Sequence, residues 1–150
     1  MLKVGVIGGG SISQFHITPY ILHNRVELVA LCDQNEQRLT ECGHQYGVTH
    51  MYTNYKDLLA NKDVDAVSIC TWNNTHAEIA IAALEAGKDV LVEKPLCMTV
   101  EEALAVEAAV GKSGKVLLVG FVRRHGNNSN ILKQFIDQDY LGEIYYAKAS

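Results

Sequence analysis

Lys94 stands in the run Glu93-Lys94-Pro95-Leu96, which closes an apolar stretch well downstream of a glycine-rich turn at Gly8-Gly9-Gly10. A turn of this kind suggests a nucleotide, and a lysine aimed at that nucleotide suggests chemistry. Its ammonium can hydrogen-bond a ribose hydroxyl or a substrate oxygen, and it sheds a proton where desolvation lowers its pKa. Pro95 restricts Lys94 to extended backbone angles, which helps to project the side chain past its strand. Glu–Lys pairs at strand ends are ordinarily just solvated, so Lys94 takes its meaning from the residues that share its edge.

The turn itself, Gly8-Gly9-Gly10-Ser11-Ile12-Ser13, follows a β-branched run and leads into a helix. The dinucleotide fingerprint places glycine first for a tight turn, third for close approach of the pyrophosphate and sixth for helix-on-strand packing. The sixth place here is Ser13, small enough to predict only a slightly wider contact. Asp33 ends the second predicted strand, where the fingerprint sets an acidic residue to accept from the adenosine ribose hydroxyls. A carboxylate there repels a 2′-phosphate and favours NAD over NADP. Gln34 and Asn35 follow instead of an arginine, although Arg38 on the next helix is able to swing back toward a phosphate. Asp33 also suits the N-cap of that helix, and both roles can coexist.

These residues need a sheet edge to bring them together. Residues 4–7, 26–32, 64–70, 90–92 and 116–119 are apolar almost throughout, as strands covered on both faces are. Helices are predicted between them. The first runs from Ser11 to about His23 and is kinked by Pro19; others cover 36–46 and 55–60, the latter after a short strand at 49–52. Two more open at Thr75 with Glu78 and at Thr99 with Glu102, both read as capping boxes, and the earlier one ends at Gly87 in a left-handed cap. This order gives an α/β, doubly wound parallel sheet of the Rossmann type with right-handed crossovers. Ligands of such sheets lie outside the carboxyl ends of the strands, so Thr71-Trp72-Asn73 and Glu93-Lys94 both border one crevice. Trp72 either stacks there on a cofactor or substrate, or covers the strand end.

Residues 1–122 are expected to make up this domain. Beyond it, a polar turn at 123–128, a helix over 130–137 and an alternating, unpartnered strand from Gly142 to Ser150 are expected to be the linker helix and first strand of a second domain. On this expectation the sequence stops just inside that domain, and the unpaired strand offers an edge to a second copy.

Composition narrows the partners. With 150 residues the chain suits one domain that buries roughly 70% of its unfolded surface. A net charge of −4 disfavours nucleic acid and anionic membrane as partners. No secretory leader pattern precedes the first strand and no apolar run reaches the roughly eighteen residues of a membrane span, so a cytoplasmic location is expected. Cys32, Cys42, Cys70 and Cys97 show neither zinc nor redox spacing, which predicts reduced, mostly buried thiols; no metal is expected. Gly111-Lys112-Ser113 lacks the leading glycine of a P-loop, with Val106 in its place, and reads as a helix end.

Taken together, the turn from Gly8 to Ser13 with His16, Asp33, Thr71-x-Asn73-x-x-His76, Ala86-Gly87-Lys88-x-Val90-Leu91-x-Glu93-Lys94-Pro95 and Gly120-Phe121-x-Arg123-Arg124 resemble the N-terminal half of the Gfo/Idh/MocA oxidoreductases. The resemblance covers the whole chain, and its block from Ala86 to Pro95 is far more specific than the glycine turn. It implies a two-domain, NAD(P)-dependent dehydrogenase, a homo-oligomer at full length, that passes hydride between nicotinamide C4 and a sugar, cyclitol or polyol carbon. It implies that Lys94 is the active-site lysine, that Lys94–Pro95 is a cis peptide, and that Glu93 and Thr71 seat the nicotinamide ribose region. Cofactor contacts are implied for Gly8, Gly9, Gly10, Ser11, Ile12, Asp33, Thr71, Trp72, Asn73, His76, Glu93, Lys94 and Arg123. Arg123 or Arg124 then sits near the cofactor or the substrate entrance, or makes an interdomain salt bridge. His16 and His76 are expected to be structural.

Trp72, Val122 and Ser13 depart from the family pattern, which blurs the substrate and leaves the fold alone. The family's aspartate and histidine motif belongs to its C-terminal domain. A chain ending at Ser150 is therefore expected to bind dinucleotide with little or no turnover. Two other classes compete. One is a non-catalytic module that senses NAD(H). The other is an adenosylmethionine-dependent methyltransferase, which also carries an acidic residue after its second strand but has no use for Glu93-Lys94-Pro95.

Overall fold

The computed structural model describes residues 1–148. Strands β1 (Leu2–Ile7), β2 (Val26–Cys32), β3 (His50–Tyr52), β4 (Ala66–Ile69), β5 (Asp89–Val92) and β6 (Leu117–Val119) pair in parallel in the order β3-β2-β1-β4-β5-β6. The inner strands are apolar on both sides because both sides are covered, while Leu118 of edge strand β6 is largely exposed. On one face α1 (Gln14–Leu22) and α2 (Glu36–Tyr46) enclose Val6, Ile17, Leu31, Leu39, Val48 and Cys70. On the other, α3 (Tyr55–Ala60), α4 (His76–Glu85) and α5 (Val100–Ser113) cover Ile7, Cys32, Val67, Ile69, Val90 and Val92 together with Leu58, Ile79 and Leu84. Neighbours such as Val6 and Ile7, or Leu31 and Cys32, enter different cores because successive strand residues point to opposite faces.

Register matters most for the site. Ile7 pairs with Cys32 and Ile69, Ile69 with Val92, and Val92 with Val119, so five strands end level. One more rung follows each of them: the amides of Gly8, Cys70, Glu93 and Gly120 donate to Cys32, Ile7, Ile69 and Val92 at 2.7, 2.7, 2.9 and 2.8 Å. Asp33 does the same toward Tyr52 at 3.1 Å. Every chain reversal that carries a candidate residue therefore begins on one line.

Local signals explain most helix ends, and two expectations need correction. Thr99 and Glu102 form the predicted capping box. Thr75 does not: its hydroxyl donates to Trp72 O and accepts from the Thr71 hydroxyl, both at 2.8 Å, while Glu78 accepts from Tyr55 Oη at 2.6 Å. Nearer tertiary partners outcompete the local box. Nor does α1 begin at Ser11; residues 11–13 remain in turns and the helix opens at Gln14, with Pro19 inside it. Gly87 takes the expected left-handed conformation after α4, with φ of 75°.

Met1–Gly120 forms one unit and Phe121 begins a second. Within the second unit a 3-10 turn (Val122–His125) leads to α6 (Asn127–Asp137), three residues earlier than expected, and the Phe135 ring meets Tyr140 edge-on at 5.5 Å. The strand expected from Gly142 onward is not formed over residues 142–148, since no ladder partner faces them among the described residues; Ala149 and Ser150 lie outside those residues. No helix among the described residues is long and apolar enough to cross a membrane.

The other end of the sheet is stapled by a buried lysine. Lys88 Nζ donates to Asn61 O at 2.8 Å and Val64 O at 2.7 Å, joining the α3–β4 connection to the start of β5. Desolvation holds its pKa below the ordinary lysine value, with the nearby Asp65 carboxylate partly opposing that. The folded state therefore carries the charge less readily than the unfolded chain. Stability should rise with pH as the folded pKa is passed and level off at the unfolded value. We expect Lys88→Met to cost about 1–3 kcal/mol in urea unfolding, because two buried carbonyls lose their donor, and to abolish this alkaline gain.

Candidate functional site

At the level edge the first requirement is a turn sharp enough to leave β1 without crossing β4. Gly8 adopts φ of 98°, and a Cβ built on it would lie 2.6 Å from Cys70 O and 2.9 Å from Thr71 N. Only glycine fits both the angle and the space. Gly9 is held from β2: its amide donates to Asp33 Oδ2 at 2.7 Å. A Cβ at Gly10 would meet nothing within 4 Å, so the turn is open on that side. Ser13 is buried and its hydroxyl donates to Gly10 O at 2.7 Å. The serine closes the turn in addition to filling the sixth position.

Asp33 is buried and fully engaged. Besides Gly9, Oδ2 receives Arg38 Nη1 at 3.3 Å, and Oδ1 receives the Asn35 amide at 2.8 Å. The N-cap of α2 is Asn35, whose side chain accepts from Arg38 N, and not Asp33. The carboxylate thus organises the loop after β2 while presenting its edge to the crevice.

That crevice has a volume of about 640 Å³. Among the expected residues Gly8, Gly10, Ser11, Ile12, Asp33, Thr71 and Trp72 line it. Gly9 backs it through Asp33. Thr53, Asn54, Tyr55, Lys56, Glu78 and Ile79 line it as well, beyond the residues expected there. Their signal was positional: residues 53–56 follow β3 and Glu78 opens α4, so the same edge had to receive them. Burial, reinforced by Glu78, pushes the Tyr55 phenol up to about 12, which makes it the donor in the Tyr55–Glu78 bond. Cys32 and Cys70 are likewise pushed up to about 12 by burial, so neither thiol is a nucleophile here. The four cysteines are free; Cys32 and Cys70 are buried and Cys42 and Cys97 only partly so.

Trp72 does not cover the strand end. The residue is 82% exposed beside the crevice, while its carbonyl is tied down by the Thr75 amide at 2.9 Å and hydroxyl at 2.8 Å. Asn73 is exposed in the 3-10 turn that follows. His76 is buried and spans two loops: Nδ1 donates to Pro95 O at 2.7 Å, and Nε2 lies 3.1 Å from Thr71 O.

Lys94 is exposed on the same edge, outside the wall of the crevice, and the Lys94–Pro95 bond is cis. Its amide donates to Glu93 Oε2 at 3.1 Å. Glu93 is buried beneath the edge and not displayed on it. Arg123 belongs to the 3-10 turn of the second unit. Among the described residues no group of His, Cys, Asp and Glu is arranged to hold a metal ion.

Comparison with known proteins places this geometry. Residues 2–121 match the model of an oxidoreductase family with an NAD-binding Rossmann fold. An inositol 2-dehydrogenase/D-chiro-inositol 3-dehydrogenase of Shouchella clausii is 36% identical over 95% of this chain and 42% of its own. A D-glucoside 3-dehydrogenase of Escherichia coli is 34% identical over 99% of this chain and 42% of its own. Among solved structures, the WlbA dehydrogenase of Bordetella pertussis in complex with NADH and UDP-GlcNAcA superposes with a TM-score of 0.91 at 30% identity, over 96% of this chain and 44% of that one. Scyllo-inositol dehydrogenase of Lactobacillus casei with bound NAD(H) and scyllo-inositol gives 0.90 at 26%, over 96% and 43%. The chain thus spans less than half the length of these relatives.

The two glycines should separate experimentally. We expect Gly8→Ala to cost roughly 2–4 kcal/mol in urea unfolding, from the left-handed angle and the main-chain clash together. Gly10→Ala should change stability by no more than about 0.5 kcal/mol.

Proposed function

The chain belongs to the Gfo/Idh/MocA family of oxidoreductases, and from that premise we propose that it is the cofactor-binding part of an NAD(P)-dependent dehydrogenase acting on a hydroxyl-bearing carbon of a sugar, cyclitol or related polyol. The observation that carries this reading is the open side of the glycine turn. Among the described residues no acceptor takes the amides of Gly10, Ser11 or Ile12, and the space beside Gly10 is clear. Unpaired amides leading into α1 suit the oxygens of a pyrophosphate.

Nicotinamide, when bound, gives or takes hydride at C4. The chain's own residues do the rest. Asp33 accepts from the adenosine ribose hydroxyls, and its carboxylate disfavours a 2′-phosphate, so NAD is the preferred cofactor. Arg38, paired to that carboxylate, is committed to it. Thr71, Trp72 and Asn73 flank the bound dinucleotide beyond β4. Lys94 holds or moves a proton at Nζ, opposite the substrate hydroxyl, from the loop that His76 ties to the start of α4. The full-length protein completes the substrate site and assembles as a homo-oligomer; its substrate is a small polyol, not nucleic acid or membrane, and its place is the cytoplasm.

Trp72 is the sole tryptophan, which makes binding directly visible. NADH should quench its emission and gain sensitised fluorescence, and NADPH should bind about tenfold more weakly, or about 1.4 kcal/mol. Asp33→Asn, which keeps an oxygen for Gly9, should narrow that gap. Lys94→Ala should leave NADH affinity within about threefold. Absence of both quenching and energy transfer in the folded protein, or binding of adenosylmethionine in place of NADH, would refute the assignment.

A further inference from the structure

Beneath the edge that carries Lys94 runs a line of four polar side chains from three elements. Glu93 follows β5, Ser68 lies on β4, and His16 and Tyr20 lie one turn apart on α1. Glu93, His16 and Ser68 are buried. Glu93 Oε1 is 3.0 Å from His16 Nε2, His16 Nδ1 is 3.4 Å from Ser68 Oγ, and Ser68 Oγ is 2.6 Å from Tyr20 Oη.

Directions follow from the chemistry of the ends. A carboxylate only accepts, so His16 donates through Nε2–H, and in the neutral imidazole Nδ1 accepts the Ser68 hydroxyl. Ser68 in turn accepts from Tyr20, whose phenol burial holds above its usual range and therefore keeps as a donor. Every hydrogen in the line points toward Glu93. Its second oxygen, Oε2, accepts the backbone amide of Lys94 at 3.1 Å. Gly120 completes the seat: a Cβ there would come within 3.0 Å of Glu93 Oε1 and 3.3 Å of Cδ, so any side chain at this position would push the carboxylate aside by a few tenths of an ångström.

We propose that His16 is a positioning residue, which through Glu93 fixes the Lys94 peptide and with it the direction in which the Lys94 side chain leaves β5. The functional meaning rests on the acid–base role given to Lys94 above; the clamp itself does not. A buried carboxylate without a partner is costly and would move or take up a proton. Its hold on the next peptide thus depends on the imidazole that α1 supplies.

The test is amide hydrogen exchange of the 15N-labelled full chain, read residue by residue by NMR, without cofactor. In His16→Leu the Lys94 amide should exchange at least about tenfold faster, while those of Val90 and Val92 in the same strand keep their protection relative to the global stability. His16→Gln retains a side-chain N–H for Glu93 and should restore most of the Lys94 protection. A general structural role would move all three amides together and give no such rescue. Gly120→Ala, which crowds Glu93 from the opposite side and leaves His16 in place, should accelerate Lys94 exchange as well, and it serves where His16→Leu fails to fold. Unchanged Lys94 exchange in the folded variants, or Gln no better than Leu at position 16, would overturn the proposal. Because no cofactor is present, the result is independent of whether the chain binds NADH.

Discussion

The contact on which the edge depends is the approach of Gly8 to the main chain of Cys70. β1 and β4 are hydrogen-bonded neighbours that end level, so the chain leaving β1 has to turn within the space that the end of β4 already occupies. A residue with a side chain would have to leave later or lift away. Either change would separate the turn from Asp33, since Gly9 reaches that carboxylate only because Gly8 has already reversed direction. The crevice, its open amides and the seat of α1 all follow from that one close passage.

A second constraint is polar. The helices that cover the sheet leave little water beneath its carboxyl edge, so each polar group there needs a partner. Asp33 has Gly9, Asn35 and Arg38; Glu93 has His16 and the Lys94 amide; His76 has Pro95. No buried side-chain nitrogen or oxygen among the described residues lacks a partner. These bonds are also the ties between loops that are distant in sequence: the turn after β1 to the loop after β2, α1 to the end of β5, the start of α4 to the loop after β5. A charged or hydrogen-bonding group that ends one strand is thereby used to hold the loop of another.

Much of this was legible without coordinates. The continuous β-branched runs could only be strands covered on both faces, and their alternation with amphipathic segments required parallel crossovers, so the sheet and its carboxyl edge followed. The turn at Gly8 and the carboxylate of Asp33 that holds it stand where the spacing of the fingerprint puts them. The cap at Thr99 was readable because its partners lie within one turn. Thr75 was misread for the complementary reason: its local signal was the same, but Thr71, Trp72 and Tyr55 stand closer to the groups involved, and sequence spacing does not report what lies across a loop.

By itself, then, the sequence determined the strands, their covering helices, the identity of the edge, and the residue types that a cofactor turn demands. These rest on periodicity and on short-range sterics, which are properties of neighbours along the chain. Tertiary structure alone decided that Glu93 turns inward to His16, that Trp72 stands exposed and not folded over its strand, and that residues 53–56 and Glu78 wall the crevice. Each of those outcomes depends on which side chains from other elements reach the same volume, and that competition exists only once the helices are packed on the sheet.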